Sequence, residues 1–126
     1  MNEQYKLDEA KFFLARMEES TRDREAFRYY MSAFLTAARS VTQYAWAESR
    51  SKGRQKWYNE TIAEYELLRF SSQTMIRHRF ADWAEPEDRV DSAQRYSENR
   101  IGSAQRYIEE LETFVQRGME AGILSG

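Results

Sequence analysis

The only histidine of the chain, His78, is the residue whose chemistry most directly suggests a reaction. It stands between Arg77 and Arg79, and Arg69 precedes it by about two and a half helical turns. Neighbouring cations favour the neutral imidazole. A neutral imidazole can take a proton from a ribose hydroxyl while an arginine holds the phosphate. His78 and Arg77 are therefore candidate catalytic residues for RNA cleavage, and the alternative is a structural histidine at a helix end or on the surface.

A second cluster suggests phosphate binding. Four cations alternate along a short segment with no acidic residue between them: Arg50, Lys52, Arg54 and Lys56. Trp57 and Tyr58 follow directly. Cations that hold a phosphate backbone beside aromatic rings that stack bases are typical of RNA binding, and Arg69 and Arg79 are further candidates for phosphate contacts. The alternative is a solvated turn, with Trp57 in the protein core.

The sequence SAQRY occurs twice, at 92–96 and at 103–107. An eleven-residue repeat stays nearly in register on a straight helix. Tyr96 and Tyr107, together with Ile101 between them, are therefore candidate interface residues. They equally fit the edge of a buried seam.

Composition excludes several classes of site. The 126 residues contain no cysteine, which removes disulfides, thiolate metal sites and cysteine nucleophiles. No glycine-rich phosphate loop or HExxH pair is present, so we predict no metal and no organic cofactor. No apolar run reaches the length of about 18–20 residues that spans a membrane, and the lack of cysteine fits the cytoplasm. The net charge of -2 carries no global signal for nucleic acid, although 15 of the 19 cations are arginine.

Helical periodicity dominates the chain. Apolar residues recur every three or four positions in helices predicted at about 4–19 and 24–48, from 55 onward past a bend near 70–73, and from 86 to 118. Pro86 suits the first turn of the last helix, which would be roughly 48 Å long. Such a helix either breaks at Gly102 or packs on something outside the monomer. The prediction is a single all-α domain over residues 1–126, an up-and-down four-helix bundle (five helices being the alternative) with a long C-terminal helix.

The same periodicity predicts the core of the bundle. Its expected members lie on the inner stripes of the four helices: Phe13, Met17, Phe34, Ala38, Val41, Ile62, Tyr65, Leu68, Met75, Ile108 and Leu111. Ser20, Thr21 and Asp23 offer side-chain oxygens for the N-cap of the second helix.

Four segments together resemble the HEPN superfamily of small helical bundles. An amphipathic opening helix leads to an aromatic and then Ser/Ala-rich helix, FRYYMSAFLTAARSV at 27–41. Trp57 and Tyr58 open the third helix, and LLRF at 67–70 leads to His78. The resemblance covers roughly residues 5–80. It implies a helical bundle and a homodimer, and in ribonuclease members a metal-independent R-x-x-x-x-H motif formed from both subunits, often in toxin–antitoxin or defence systems.

The chain departs from that motif at the position that matters most. If His78 is the motif histidine, Gln73 stands where the arginine belongs, Thr74 where asparagine often follows, and Phe80 where some toxins carry a modified tyrosine. A neutral amide cannot offset the charge that develops on the phosphate. Losing such a group costs about 2.7–4 kcal/mol of transition-state stabilisation.

Three hypotheses follow. The first is a HEPN-like protein with weak or no catalytic activity that acts by homodimerisation and by binding protein or RNA. The second is a metal-independent ribonuclease that uses His78 with a non-standard arginine. The third is a helical adaptor unrelated to HEPN, for example a phage or defence protein that binds a host factor.

Overall fold

The computed structural model describes the backbone of residues 1–69 and 90–126 and the side chains of residues 1–69 and 97–126. Over these ranges the chain is all-helical, without a strand, which confirms the predicted class. The helices are α1 (Glu3–Glu19), α2 (Arg24–Ser51), α3 (Gln55–Ile62) and α4 (Val90–Glu120). The predictions for Met75, Arg77, His78 and Arg79, and for the bend near 70–73, lie outside the described residues. So does the side chain of Tyr96.

α1 and α2 form where the apolar pattern predicts them. The buried side of α1 carries Leu7, Ala10, Leu14 and Met17, at steps of three and four residues. Asp23 caps α2, because its carboxylate accepts the Ala26 N–H at 3.1 Å. α2 buries side chains on more than one of its faces because it packs against α1, α3 and α4.

The predicted core is largely confirmed. Eight of its members are buried: Met17, Phe34, Ala38, Val41, Ile62, Leu68, Ile108 and Leu111. Phe13 and Tyr65 are half-buried and pack against that cluster. The structure adds a second stripe on α4, formed by Arg100, Tyr107 and Phe114 at intervals of seven residues, all of them buried. The buried face of α4 is therefore wider than a single apolar seam.

α3 is shorter than predicted. It ends at Ile62, although the apolar pattern continues through Leu68. The following segment gains tertiary partners on α4 that replace helical hydrogen bonds: the Leu67 N–H donates to the Glu110 carboxylate at 2.9 Å. Arg106 pairs with Glu66, and Arg117 pairs with Glu64 at 2.9 Å. These contacts place Leu67 and Leu68 in the core although α3 has already ended.

α4 runs unbroken through Gly102 and continues past the predicted end at Gly118. Its C-terminus is closed at Gly122, which has a φ of 72°. The Ile123 N–H donates to the Gly118 carbonyl at 2.9 Å, and the Gly122 N–H donates to the Met119 carbonyl at 3.0 Å. This pair of hydrogen bonds is a Schellman motif, and it directs Ile123 into the core. At 31 residues the described helix is roughly 46 Å long.

The C-terminal tail returns to the end of α2. The Ser125 N–H donates to the Glu48 carboxylate at 3.1 Å, and the Ser125 hydroxyl donates to the same group. Lys52 Nζ donates to the Ile123 carbonyl at 2.7 Å. The amine of Met1 also contacts Glu48 and the fully buried Glu3. The tail thus fixes the end of α2, where the cationic segment begins.

Two glycines of α4 give opposite predictions. A Cβ at Gly102 would meet no atom of the described residues within 4 Å, so Gly102→Ala should raise the free energy of unfolding by about 0.5–1 kcal/mol through helix propensity. At Gly118 a Cβ would overlap the Leu124 side chain and lie 3.0 Å from Trp57. Gly118→Ala should therefore lower the stability. Urea unfolding followed by circular dichroism measures both, and stabilisation of both variants would contradict the packing at Gly118.

Candidate functional site

A tight turn between α2 and α3 sets the positions of the four alternating cations. The Lys52 N–H donates to the Glu48 carbonyl at 3.2 Å, and the Arg54 N–H donates to the Ser49 carbonyl at 2.7 Å. Gly53 has a φ of 68°, a conformation that costs glycine little. Because the link is only three residues long, the last turn of α2 and the first turn of α3 lie side by side.

The structure does not give the four cations one common role. Arg50 is exposed, and its guanidinium lies over the indole ring of Trp46 at 5.2 Å from the centroid. Arg54 is exposed and forms no ion pair with the described residues. Lys56 is highly exposed, and its Nζ lies 3.9 Å from the Glu60 carboxylate. Lys52 is engaged with Glu48 and the Ile123 carbonyl, so three cations remain available to a ligand.

Tyr58 belongs to the core, and Trp57 is half-buried and packs against it. Trp57 packs on Phe114 with ring centroids 5.6 Å apart. Tyr58 is buried, and its hydroxyl donates to the Thr42 carbonyl at 3.3 Å. Burial raises the pKa of Tyr58 to about 12. The phenol is therefore neutral at pH 7 and holds α3 against α2.

An open groove lies between α2 and α3 beside the cationic turn. Its volume is about 550 Å³, and it is lined by Thr42, Gln43, Trp46, Ala47, Tyr58 and Asn59. Trp46 is 40% exposed, which is unusual for so large an aromatic side chain. Gln43 and Asn59 are exposed and present amide groups from opposite helices. The groove thus combines an aromatic surface and two amides, and Arg50, which does not line it, lies over the Trp46 ring.

Of the two positions that the sequence allows for Trp57, a stacking surface and the core, the structure shows packing against the core. Trp46 was not among the predicted residues. Trp46 carried a detectable signal, since it follows Ala45 of the apolar seam and so falls outside the buried stripe. No sequence pattern marks Gln43 and Asn59 as site residues, because they come close together only through the packing of α3 against α2.

The remaining site candidates occupy separate places. Tyr107 is 1% exposed, and its ring packs edge-on against Phe34 with centroids 5.9 Å apart. It is therefore a core residue and not part of an outer interface stripe, because no partner can reach its ring. Burial also raises the pKa of Tyr107. Ile101 is half-buried against the core, and Arg69 is exposed in the turn segment that follows α3.

The described residues contain no group of three or more acidic or histidine side chains that could hold a metal ion. None of their helices is long and apolar enough to cross a membrane. No family model matches the chain, and no curated protein or solved structure is significantly similar to it. The resemblance to the HEPN superfamily therefore stays a prediction that rests on the sequence pattern.

Proposed function

We propose that this chain is a HEPN-like helical protein of the cytoplasm that binds RNA through the turn between α2 and α3 and does not cleave it. The proposal includes an up-and-down bundle and a homodimer. The observation that carries it is the exposure of three cations, Arg50, Arg54 and Lys56, around one tight turn. Lys52 is the exception among the four cations, because its Nζ donates to the Ile123 carbonyl of the C-terminal tail.

The acidic residues near the turn do not cancel this charge. The nearest carboxylate on α2, Glu48, is largely buried and accepts hydrogen bonds from Ser125. Glu60 is the acid closest to Lys56, and the 3.9 Å pair is highly exposed. Exposed ion pairs contribute little and are screened by salt. A phosphate backbone can therefore compete for Lys56.

The sequence supports binding over cleavage. The cation that the ribonuclease motif requires five residues before His78 is replaced by Gln73. A neutral amide does not stabilise the charge that accumulates on the phosphate in the transition state. Binding needs only ground-state contacts with phosphates, and the turn supplies these.

The homodimer has its own support. Tyr5 and Phe12 are 67% and 52% exposed and lie seven residues apart on the outer side of α1. Helix positions seven apart share a face, and aromatic side chains are enriched at protein interfaces. Light scattering at high protein concentration should give twice the 15.0 kDa chain mass. A single monomeric species would contradict this part of the proposal.

Salt dependence tests the RNA-binding proposal. Fluorescence polarisation with a labelled 12-nucleotide RNA should show affinity that falls with salt, with a log–log slope of about -2 for three phosphate contacts. Replacing Arg50, Arg54 and Lys56 together by glutamine should bring the slope close to zero. Replacing three exposed cations elsewhere, Lys11, Arg22 and Arg28, is the matched control and should leave most of the affinity. Equal loss in both triple variants would contradict a specific site at the turn.

A further inference from the structure

We propose that the groove between α2 and α3 holds one unpaired base of a single-stranded nucleic acid, stacked on Trp46. The inference rests on the proposed RNA binding and specifies the form of RNA that the site takes. Trp57, one of the two aromatic residues that follow the cations in sequence, packs against Phe114 instead.

Trp46 exposes a large part of its indole ring to solvent. An indole that is 40% exposed on a helix otherwise packed on three sides keeps much apolar surface in water. Covering this surface with another planar ring is favourable. Stacking of bases on aromatic side chains is tolerant of sequence because every base has a π face.

Arg50 lies against the ring of Trp46 although it does not line the groove. Its guanidinium lies 5.2 Å from the centroid of the Trp46 ring. A base stacked on the indole would therefore lie on a ring that a planar cation already contacts. Arginine adds cation–π attraction to the stack and can also reach the adjoining phosphate.

Two side-chain amides line the groove beside Trp46. Gln43 comes from α2 and Asn59 from α3. Each amide offers a carbonyl acceptor and two N–H donors. Such groups match the hydrogen-bonding edge of a base that has no pairing partner.

The charge of the surroundings selects a nucleic acid over a peptide as the occupant. Arg50 lies over Trp46, and the exposed Arg54 and Lys56 stand at the start of α3. These cations suit successive phosphates of a strand whose base enters the groove. A duplex cannot use the groove, because its bases are already stacked and their edges are paired.

The test compares single-stranded and duplex RNA with Trp46 variants. Trp46→Ala should weaken binding of a labelled 12-nucleotide single strand by about 5- to 100-fold. Trp46→Phe, which keeps an aromatic face, should retain most of the affinity. Tyr44→Ala is the matched control, since Tyr44 is a 38% exposed aromatic residue of α2 that does not line the groove. It should bind like the unmodified protein.

The outcomes separate this inference from the function on which it rests. If Trp46→Ala binds the single strand as tightly as the unmodified protein, the base site is wrong while the cationic turn still stands. Equal affinity for the duplex and the single strand would also overturn the base site alone. If neither RNA binds, both proposals fail. Circular dichroism of Trp46→Ala should match that of the unmodified protein, and if it does not, Trp46→Phe and a Gln43→Ala/Asn59→Ala double variant carry the test.

Discussion

Replacing Phe114 by alanine should lower the free energy of unfolding by about 3–5 kcal/mol. Phe114 is fully buried and lies at the centre of an aromatic cluster. Its ring centroid is 5.6 Å from that of Trp57, 5.7 Å from that of Tyr58 and 6.0 Å from that of Tyr65. Removing the ring leaves a cavity that these three side chains cannot fill without moving. Edge-to-face aromatic pairs add to the loss.

Chemical unfolding in urea, followed by the helical circular dichroism signal, measures this effect. Tyr29→Ala is the matched control, because Tyr29 is 67% exposed on α2 and its hydroxyl donates to Glu25 on the same helix. It should change the stability by no more than about 0.5 kcal/mol. Similar effects of Phe114→Ala and Tyr29→Ala would mean that α3 does not pack on α4 through this cluster.

Replacing Glu48 by glutamine should lower the stability at pH 7 by about 1.5–3 kcal/mol, a typical value for hydrogen bonds to a charged group. Burial alone would raise the pKa of Glu48. Hydrogen bonds from Glu3, the Met1 amine and Ser125 outweigh that effect and hold its pKa far below the ordinary value of 4.5. Ionised Glu48 therefore stabilises the fold above about pH 4.5, and this contribution falls as the pH drops toward the lower folded pKa.

The neighbouring Glu3 responds in the opposite direction. Its burial, together with the hydrogen bond to Glu48, raises its pKa. Protonated Glu3 therefore stabilises the fold at low pH, and that contribution is lost as the pH rises through the raised pKa. The difference between unmodified protein and Glu48→Gln should shrink between about pH 5 and pH 3. Glu18→Gln, at an exposed position of α1, is the control and should show no such change. A pH-independent difference for Glu48→Gln would contradict this account of the buried pair.

The regular parts of the fold were predictable because they follow from local periodicity. The seams of α2 and α4 repeat every three or four residues, and the carboxylate of Asp23 marks the start of α2. The end of α3 was not predictable, because no glycine or proline marks it. It is set by Glu110 and Arg106 of α4, more than 40 residues away in sequence. Such contacts leave no local trace in the chain.

The site was predictable only in part, for the same reason. The alternating cations around Gly53 are a local feature, and the turn lies where the sequence indicates. Which tryptophan faces solvent depends on how the helices pack. Trp57 is drawn inward by Phe114, whereas Trp46 falls outside the packed stripe of α2. The burial of Tyr107 was not predictable either, because the SAQRY repeat does not indicate which side of α4 is buried.

One incubation tests most directly whether the protein binds RNA without cleaving it. Labelled single-stranded RNA is mixed with excess protein in EDTA at low salt, polarisation records binding, and a denaturing gel then records the length of the recovered RNA. We expect the RNA to be bound and recovered at full length, with identical results for His78→Ala. Shorter products that form with the unmodified protein and not with His78→Ala would contradict the claim.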